Sequence, residues 1–564
     1  MSATPAPAPA PAPAPVTAVA RPPRIGRNGP APGSLTGARE LTRLAVRRDR
    51  IMLAVWIYAL TAIAASGGYG IKHIYKTAQS RASLAASVHS TPALAFLYGQ
   101  LRGDSLGALI AWRYLAYAAL GAALLSIFLV VRHTRADEET GRLELIGSTV
   151  VGRHAALAVA MAVACAANLI LCVLSALVLT FSGLPVTGAI AFGLAEAGCG
   201  VAFAGVAAVT AQVSGTARAA RGMAIAVLGL SFLLRGVGDS GGSRGLTWLT
   251  WLSPIGWAEL VRPFAAERWW VLGLPVLAAV AGLVAAFALA ARRDQGAGLM
   301  QPRPGSARAG RLLSGPAGLS WRLQRGSVAG WTAGFLAGGL AIGVVTTSIG
   351  KLIGTSASVT KAIDRIGGQA ALTNAYLAAC MSLIGLVAAA YAVSAVARLR
   401  SDEVAGRAEP LLAAAVSRSR WGGSNLLIVT VGTVVVLVAG GLGVGLAFGI
   451  AGSDVSTQVP RLIGAALAQL PAALAVAAVG AAFAGLVPKW SGPVGWAALA
   501  VCGFIGVFGP ALSLSQAVLD ISPFTHVPKL PGGAFSIVPL AWLSGVAVVL
   551  AGVGLLGLRR RDIG

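Results

Sequence analysis

Residues 135–144 read RADEETGRLE, and residues 400–409 read RSDEVAGRAE. At a constant shift of 265 residues, Arg135, Asp137, Glu138, Gly141, Arg142 and Glu144 fall on Arg400, Asp402, Glu403, Gly406, Arg407 and Glu409. The repetition stands out because the chain is 56% hydrophobic and only 11% charged over 564 residues. Soluble domains carry about a quarter of their residues charged. A mean hydropathy of +0.77 and recurring apolar stretches long enough for helices to cross a bilayer identify a polytopic membrane protein instead.

Working outward from the two charged stretches, other landmarks recur in the same order. RRDRIMLAVW (47–56) matches RLQRGSVAGW (322–331) at Arg47/Arg322, Arg50/Arg325, Ala54/Ala329 and Trp56/Trp331. Ser253-Pro254 matches Ser522-Pro523, and RRDQG (292–296) matches RRDIG (560–564). Spans are expected near 51–71, 106–131, 155–182, 187–213, 222–236, 269–291, 327–348, 373–397, 425–450, 460–487, 493–511 and 538–558. The fifth and eleventh are short or interrupted by glycine. The expected fold is therefore all-α, with about twelve transmembrane helices in two homologous six-helix halves. Six spans per half give both halves one topology, so they form a parallel pseudo-twofold repeat.

The expected organisation is a disordered Pro/Ala-rich tail over 1–33, a first half over 34–291, a linker over 292–318 and a second half over 319–564. The Pro-Ala tract favours polyproline II and builds no core. The basic amphipathic stretch 34–50 is expected to lie along the membrane surface, with a weaker counterpart at 317–326.

A formal charge of +25 raises the question of nucleic acid, but most of the 44 Lys and Arg fall in alternate loops and at the termini. That is the positive-inside bias. It implies a multi-pass plasma-membrane protein with both termini cytoplasmic and a basic face toward anionic lipid, not a nucleic-acid binder. The five cysteines lie inside apolar spans, and the five histidines are scattered. No disulfide framework, metal site or catalytic set is expected.

In this topology the two charged stretches occupy equivalent cytoplasmic loops, 2–3 and 8–9. Glu138 and Arg142, like Glu403 and Arg407, stand four apart with the acid first, the order that favours an ion pair along a helix. Two such loops about a twofold axis suit a symmetric, dimeric partner.

These features resemble the type-2 ABC exporter permeases (ABC-2 type), in the fused double-length form of the exporters of polyketide antibiotics. The resemblance rests on the two E-x-x-G-R-x-E loops, on SPIGW before span 6 and on SPFTHVPKLPGG before span 12, and it covers about 35–564. It implies that loops 2–3 and 8–9 are coupling helices, with Glu138, Arg142, Glu144, Glu403, Arg407 and Glu409 meeting the nucleotide-binding subunits. The chain has no G-x-x-x-x-G-K-[ST]; the nearest string, TTSIGKLI (346–353), has Leu352 where a hydroxyl is needed. ATP and Mg are therefore expected on separate ABC ATPase subunits, two per chain, with no cofactor and no enzymatic activity on this one. The expected substrate is a hydrophobic or amphipathic small molecule.

Charges and strong polar groups inside spans point to a pathway. Glu196 in span 4, Gln469 at the matching place in span 10, and Arg113 in span 2 are the candidates. The alternative is a proton-driven drug exporter of the major facilitator type, which also has twelve spans and charged 2–3 and 8–9 loops. Its loop motif G-x-x-x-D-R-x-G-R-[KR] fits poorly, because acids stand here where it has flanking bases.

Overall fold

The computed structural model describes residues 34–561, apart from 75–76, 90–91, 148–150, 241–245, 294–297, 301–309, 311–312, 314, 354–367, 415, 453 and 509–514. The expected tail over 1–33 and much of the linker lie outside the described residues. Every span is helical: α1 (Ala38–Ile74), α2 (Leu106–Val131), α3 (Ala155–Phe181), α4 (Val186–Val213), α5 (Ala217–Ser240) and α6 (Gly273–Ala291). There follow α7 (Pro316–Ile353), α8 (Gly368–Val404), α9 (Arg418–Gly452), α10 (Val455–Leu486), α11 (Ser491–Phe508) and α12 (Ile537–Arg560). Eleven of these are long and apolar enough to cross a membrane. The exception is α11, which has 18 residues and ends against residues outside the described part.

The chain is thus an all-α polytopic membrane protein, and its helices pack in one order twice. α1 lies on α3, α2 on α4 and α4 on α6; α7 lies on α9, α8 on α10 and α10 on α12. Contacts between the two groups are sparse by comparison, and one of them joins the short helix Pro92–Tyr98 to α7. Within each group small residues bring backbones together, because apolar side chains gain little by leaving lipid for protein. A Cβ on Gly282 of α6 would come within 2.8 Å of the Gly205 backbone of α4, and one on Gly557 of α12 within 2.7 Å of the Gly485 backbone of α10. Large apolar side chains such as Phe181, Val548 and Trp542 stay exposed on the outside, where lipid would cover them.

Three local expectations change. The fifth span is not broken: α5 runs unbroken for 24 residues. The interruption falls in α10, between Leu467 and Leu470, because Pro471 cannot donate to the preceding turn. The basic stretch 34–50 is no separate surface helix. It is continuous with span 1 in α1, whose 37 residues extend about 55 Å, well beyond a hydrocarbon core of about 30 Å. Charge holds it against the loop after α2. Asp49 is fully enclosed and pairs with Arg132 (3.0 Å) and His133 (2.6 Å), and Arg48 pairs with Asp137 at 2.7 Å. Arg132 and His133 lie in a π-helical turn, Arg132–Ala136, that carries α2 into the loop. In the second group Gln324 stands where Asp49 does, hydrogen-bonded to Asn425 at 3.2 Å, and α8 continues without such a turn.

Candidate functional site

Each residue shared by the two charged stretches, except the last glutamate, has a place in a structure that forms twice. Asp137–Glu139 and the end of α8 close with a glycine in the left-handed region, Gly141 at φ +72° and Gly406 at φ +67°. Glycine pays no Cβ penalty there. The Gly406 N–H bonds the Glu403 carbonyl and the Arg407 N–H the Asp402 carbonyl, both at 2.9 Å, which together make a Schellman closure. The Gly141 N–H bonds the Glu138 carbonyl in the same way at 3.1 Å.

The turn redirects the charges. The expected four-residue pairs Glu138–Arg142 and Glu403–Arg407 do not form, because the helix stops at the glycine between their members. Arg142 returns to Asp137 at 3.4 Å, and Arg407 returns to Asp402 at 2.9 Å. Glu138 instead binds two arginines, Arg135 at 2.9 Å and Arg293, whose Nη1 and Nη2 donate at 2.6 and 2.9 Å. Glu403 binds Arg400 at 3.0 Å and also Arg561, which donates through Nη2 alone. The terminal RRD landmark of each half is therefore the second jaw of a clamp, which ties the end of the second helix to the end of the sixth. Arg135 also donates to the Gly215 carbonyl at 2.7 Å, and Glu139 accepts the Ala217 N–H at the start of α5.

The six residues expected to meet a partner thus separate by exposure. Glu138 and Glu403 keep only 7% and 5% of their side-chain surface, whereas Arg142 and Arg407 keep 55% and 57%. Glu144, on the short helix Arg142–Gly147, and Glu409, on Glu409–Ala413, are exposed. Leu145 beside Glu144 is 74% exposed. A cavity of about 290 Å³ opens next to the first loop, lined by Leu41, Glu138, Glu144, His154, Gln212 and Arg293; its counterpart at Asp402 and Arg407 is about 30 Å³.

The three span residues share no hydrogen bond or ion pair among the described residues. Glu196 is fully enclosed inside the first group and accepts from Ser175 Oγ of α3 at 2.8 Å. Gln469 is enclosed at the break in α10, against Gly385 of α8. Arg113 is exposed on α2, with its guanidinium 4.1 Å above the Tyr98 ring. Tyr98 also packs on Trp112 and Tyr117, and Tyr376 of the second group lies near Tyr98 and Tyr117. Arg113 therefore borders the place where the two groups approach each other.

Sequence reasoning missed a charged cluster at the end of the first group opposite the clamp. Arg235 of α5 is fully enclosed and pairs with Glu259 at 3.2 Å and Asp239 at 3.9 Å. It also donates to the Leu97 carbonyl at 3.3 Å. Thr250 donates to Asp239 at 3.0 Å, which fastens the short helix Trp248–Trp251 to α5. The usable signal was Arg235 and Asp239 four apart at the end of an apolar run, with an acid in the following segment.

A family model described as the C-terminal domain of the multidrug efflux system permease Rv1217c matches residues 313–559. The multidrug efflux system permease protein Rv1217c of Mycobacterium tuberculosis (strain ATCC 25618 / H37Rv) is 42% identical over 551 residues, 97% of this chain and 99% of that relative. An identity this high over the full length leaves the landmarks, the helices and the clamps with one explanation: the chain is a membrane permease and belongs to the multidrug efflux permease family of Rv1217c.

Proposed function

We propose that this permease is the membrane-spanning subunit of an ATP-driven exporter of hydrophobic or amphipathic small molecules, polyketide antibiotics among them. Separate ABC ATPase subunits, two per chain, drive it through loops 2–3 and 8–9. The observation that carries the reading is the doubled loop. In each group a helix end is closed by a left-handed glycine, anchored by an enclosed clamp, and tipped with an exposed acid (Glu144 or Glu409) and an exposed base (Arg142 or Arg407). A loop that receives force from a partner needs a rigid base and an accessible tip. Both termini and both loops lie on the cytoplasmic side in this reading, which the distribution of basic residues supports.

Closure of the ATPase pair would push on both tips together, and each clamp would pass the displacement from the second helix to the sixth of its group. The lack of a P-loop in the sequence supports a partner that carries ATP and Mg. The relative is a multidrug efflux system permease, which supports a broad set of substrates here. The test is purification of the tagged chain from its native membrane in mild detergent, with identification of its stoichiometric companions. Two P-loop ATPase copies per chain are expected. A chain that purifies alone and transports on a proton gradient would replace this reading with a facilitator.

A further inference from the structure

Comparing the two groups at the end opposite the clamps shows one frame with different contents. Ser253 opens a short helix, accepts the Gly256 N–H at 3.1 Å and bonds Ser231 of α5 at 2.8 Å. Ser522 opens the equivalent turn and donates to the Cys502 carbonyl of α11 at 3.2 Å. In the first group the Trp257 indole N–H donates to the Trp251 carbonyl; in the second, His526 Nε2 donates to the Asp520 carbonyl at 3.0 Å. With the serines superimposed, Asp520 stands in the place of Trp251 and His526 in that of Trp257.

Trp251 stacks on Trp270, with centroids 5.7 Å apart and planes 16° from parallel. In the second group a cavity of about 560 Å³ lies between α10, α11 and α12, with Trp542 among its walls. Ala475, Val501, Leu543 and Val546 line it together with Asp520 and His526. Cavities of this size hold drug-sized molecules, in which a few polar groups fix the orientation. The polar group here has a definite sign. Asp520 accepts from Gln516 Nε2 at 2.7 Å and has no Lys or Arg partner among the described residues.

We propose that this cavity binds a lipophilic cation, with its apolar body between α10, α11 and α12 and its charge at Asp520. A neutral amphiphile gains nothing from the carboxylate, and a phospholipid would bring its phosphate against it. The purpose of the site rests on the exporter reading above, but binding requires no ATPase, so the two can fail separately.

The probe is radiolabelled tetraphenylphosphonium, applied by equilibrium dialysis to the full chain in nanodiscs of phosphatidylglycerol and phosphatidylcholine, with empty nanodiscs subtracted. Saturable binding is expected. Asp520→Asn keeps the shape and the Gln516 contact and weakens binding about tenfold, the factor for about 1.4 kcal/mol. Asp104→Asn, an exposed acid of the first group, leaves binding unchanged. Val546→Trp fills the cavity and abolishes binding, while size-exclusion behaviour shows that the variant folds. Neutral triphenylphosphine oxide responds to Val546→Trp but not to Asp520→Asn. Equal affinity of wild type and Asp520→Asn for tetraphenylphosphonium overturns the proposal. So does a wild-type chain that binds none but retains a phospholipid in native mass spectrometry that Val546→Trp loses.

Discussion

Removing one jaw of the Glu138 clamp should cost far more than removing any exposed charge on the same loop. Breaking an enclosed ion pair by deleting one member costs about 3–5 kcal/mol, whereas exposed pairs are worth about 0–1 kcal/mol. Glu138 and Arg293 retain 7% and 12% of their side-chain surface, which places them near the lower end of the first range. Glu138→Ala leaves both Arg135 and Arg293 without their carboxylate, and a loss of about 3 kcal/mol is expected. Arg293→Ala is milder, about 2 kcal/mol, because Glu138 keeps Arg135 at 2.9 Å. The double variant should lose less than the sum of the two, with a coupling of about 1–2 kcal/mol. Arg142→Ala, whose side chain is 55% exposed, should cost about 0.5 kcal/mol. The assay is reversible unfolding of the purified chain in mixed micelles by titration with a denaturing detergent, followed by tryptophan fluorescence. Additive losses in the double variant, or an Arg293→Ala loss no larger than that of Arg142→Ala, would refute the clamp. The substitution Glu138→Lys with Glu403→Lys is for the same reason expected to destabilise both groups.

The uncoupling variant the structure favours is Glu144→Lys with Glu409→Lys, both exposed at the loop tips. Its melting midpoint should match wild type while transport falls at least about tenfold, and unchanged transport would remove these residues from the coupling surface. Gly557→Leu puts a side chain into the Gly485 backbone and should destabilise the second group by about 3 kcal/mol, read as a lower midpoint in the same titration. Arg235→Met leaves Asp239 and Glu259 enclosed without their cation and should cost about 3 kcal/mol. Adding Glu259→Gln and Asp239→Asn to it should recover part of that loss; no recovery would mean that Arg235 acts by packing alone.

The spans were legible because bilayer thickness demands apolar runs of fixed length, and the doubling was legible because charged landmarks stand out against apolar sequence. Less could be read from spacing alone. Glu138 and Arg142 have helical spacing, but Gly141 adopts φ +72° between them, and one of the two arginines that Glu138 binds instead lies 155 residues away. RRDQG and RRDIG were visible as matching endings, yet nothing in one sequence says that Arg293 reaches back to Glu138. Arg235 escaped notice because it ends an apolar run, where arginine ordinarily extends toward water; here it turns inward to Glu259. The extension of span 1 into one 37-residue helix depended on Asp49, whose role required knowing that a π-helical turn presents Arg132 and His133 to it.

The clamps also bear on how such a chain is made. Glu138 emerges 155 residues before Arg293, and Glu403 emerges 158 residues before Arg561, so each glutamate waits through the synthesis of four further helices for its final arginine. Arg135 and Arg400, three residues away, are present from the outset and can neutralise the acid during that interval. Among the described residues, both arginines of each clamp belong to the same group as its glutamate. Each clamp can therefore close as soon as the sixth helix of its own group has been made.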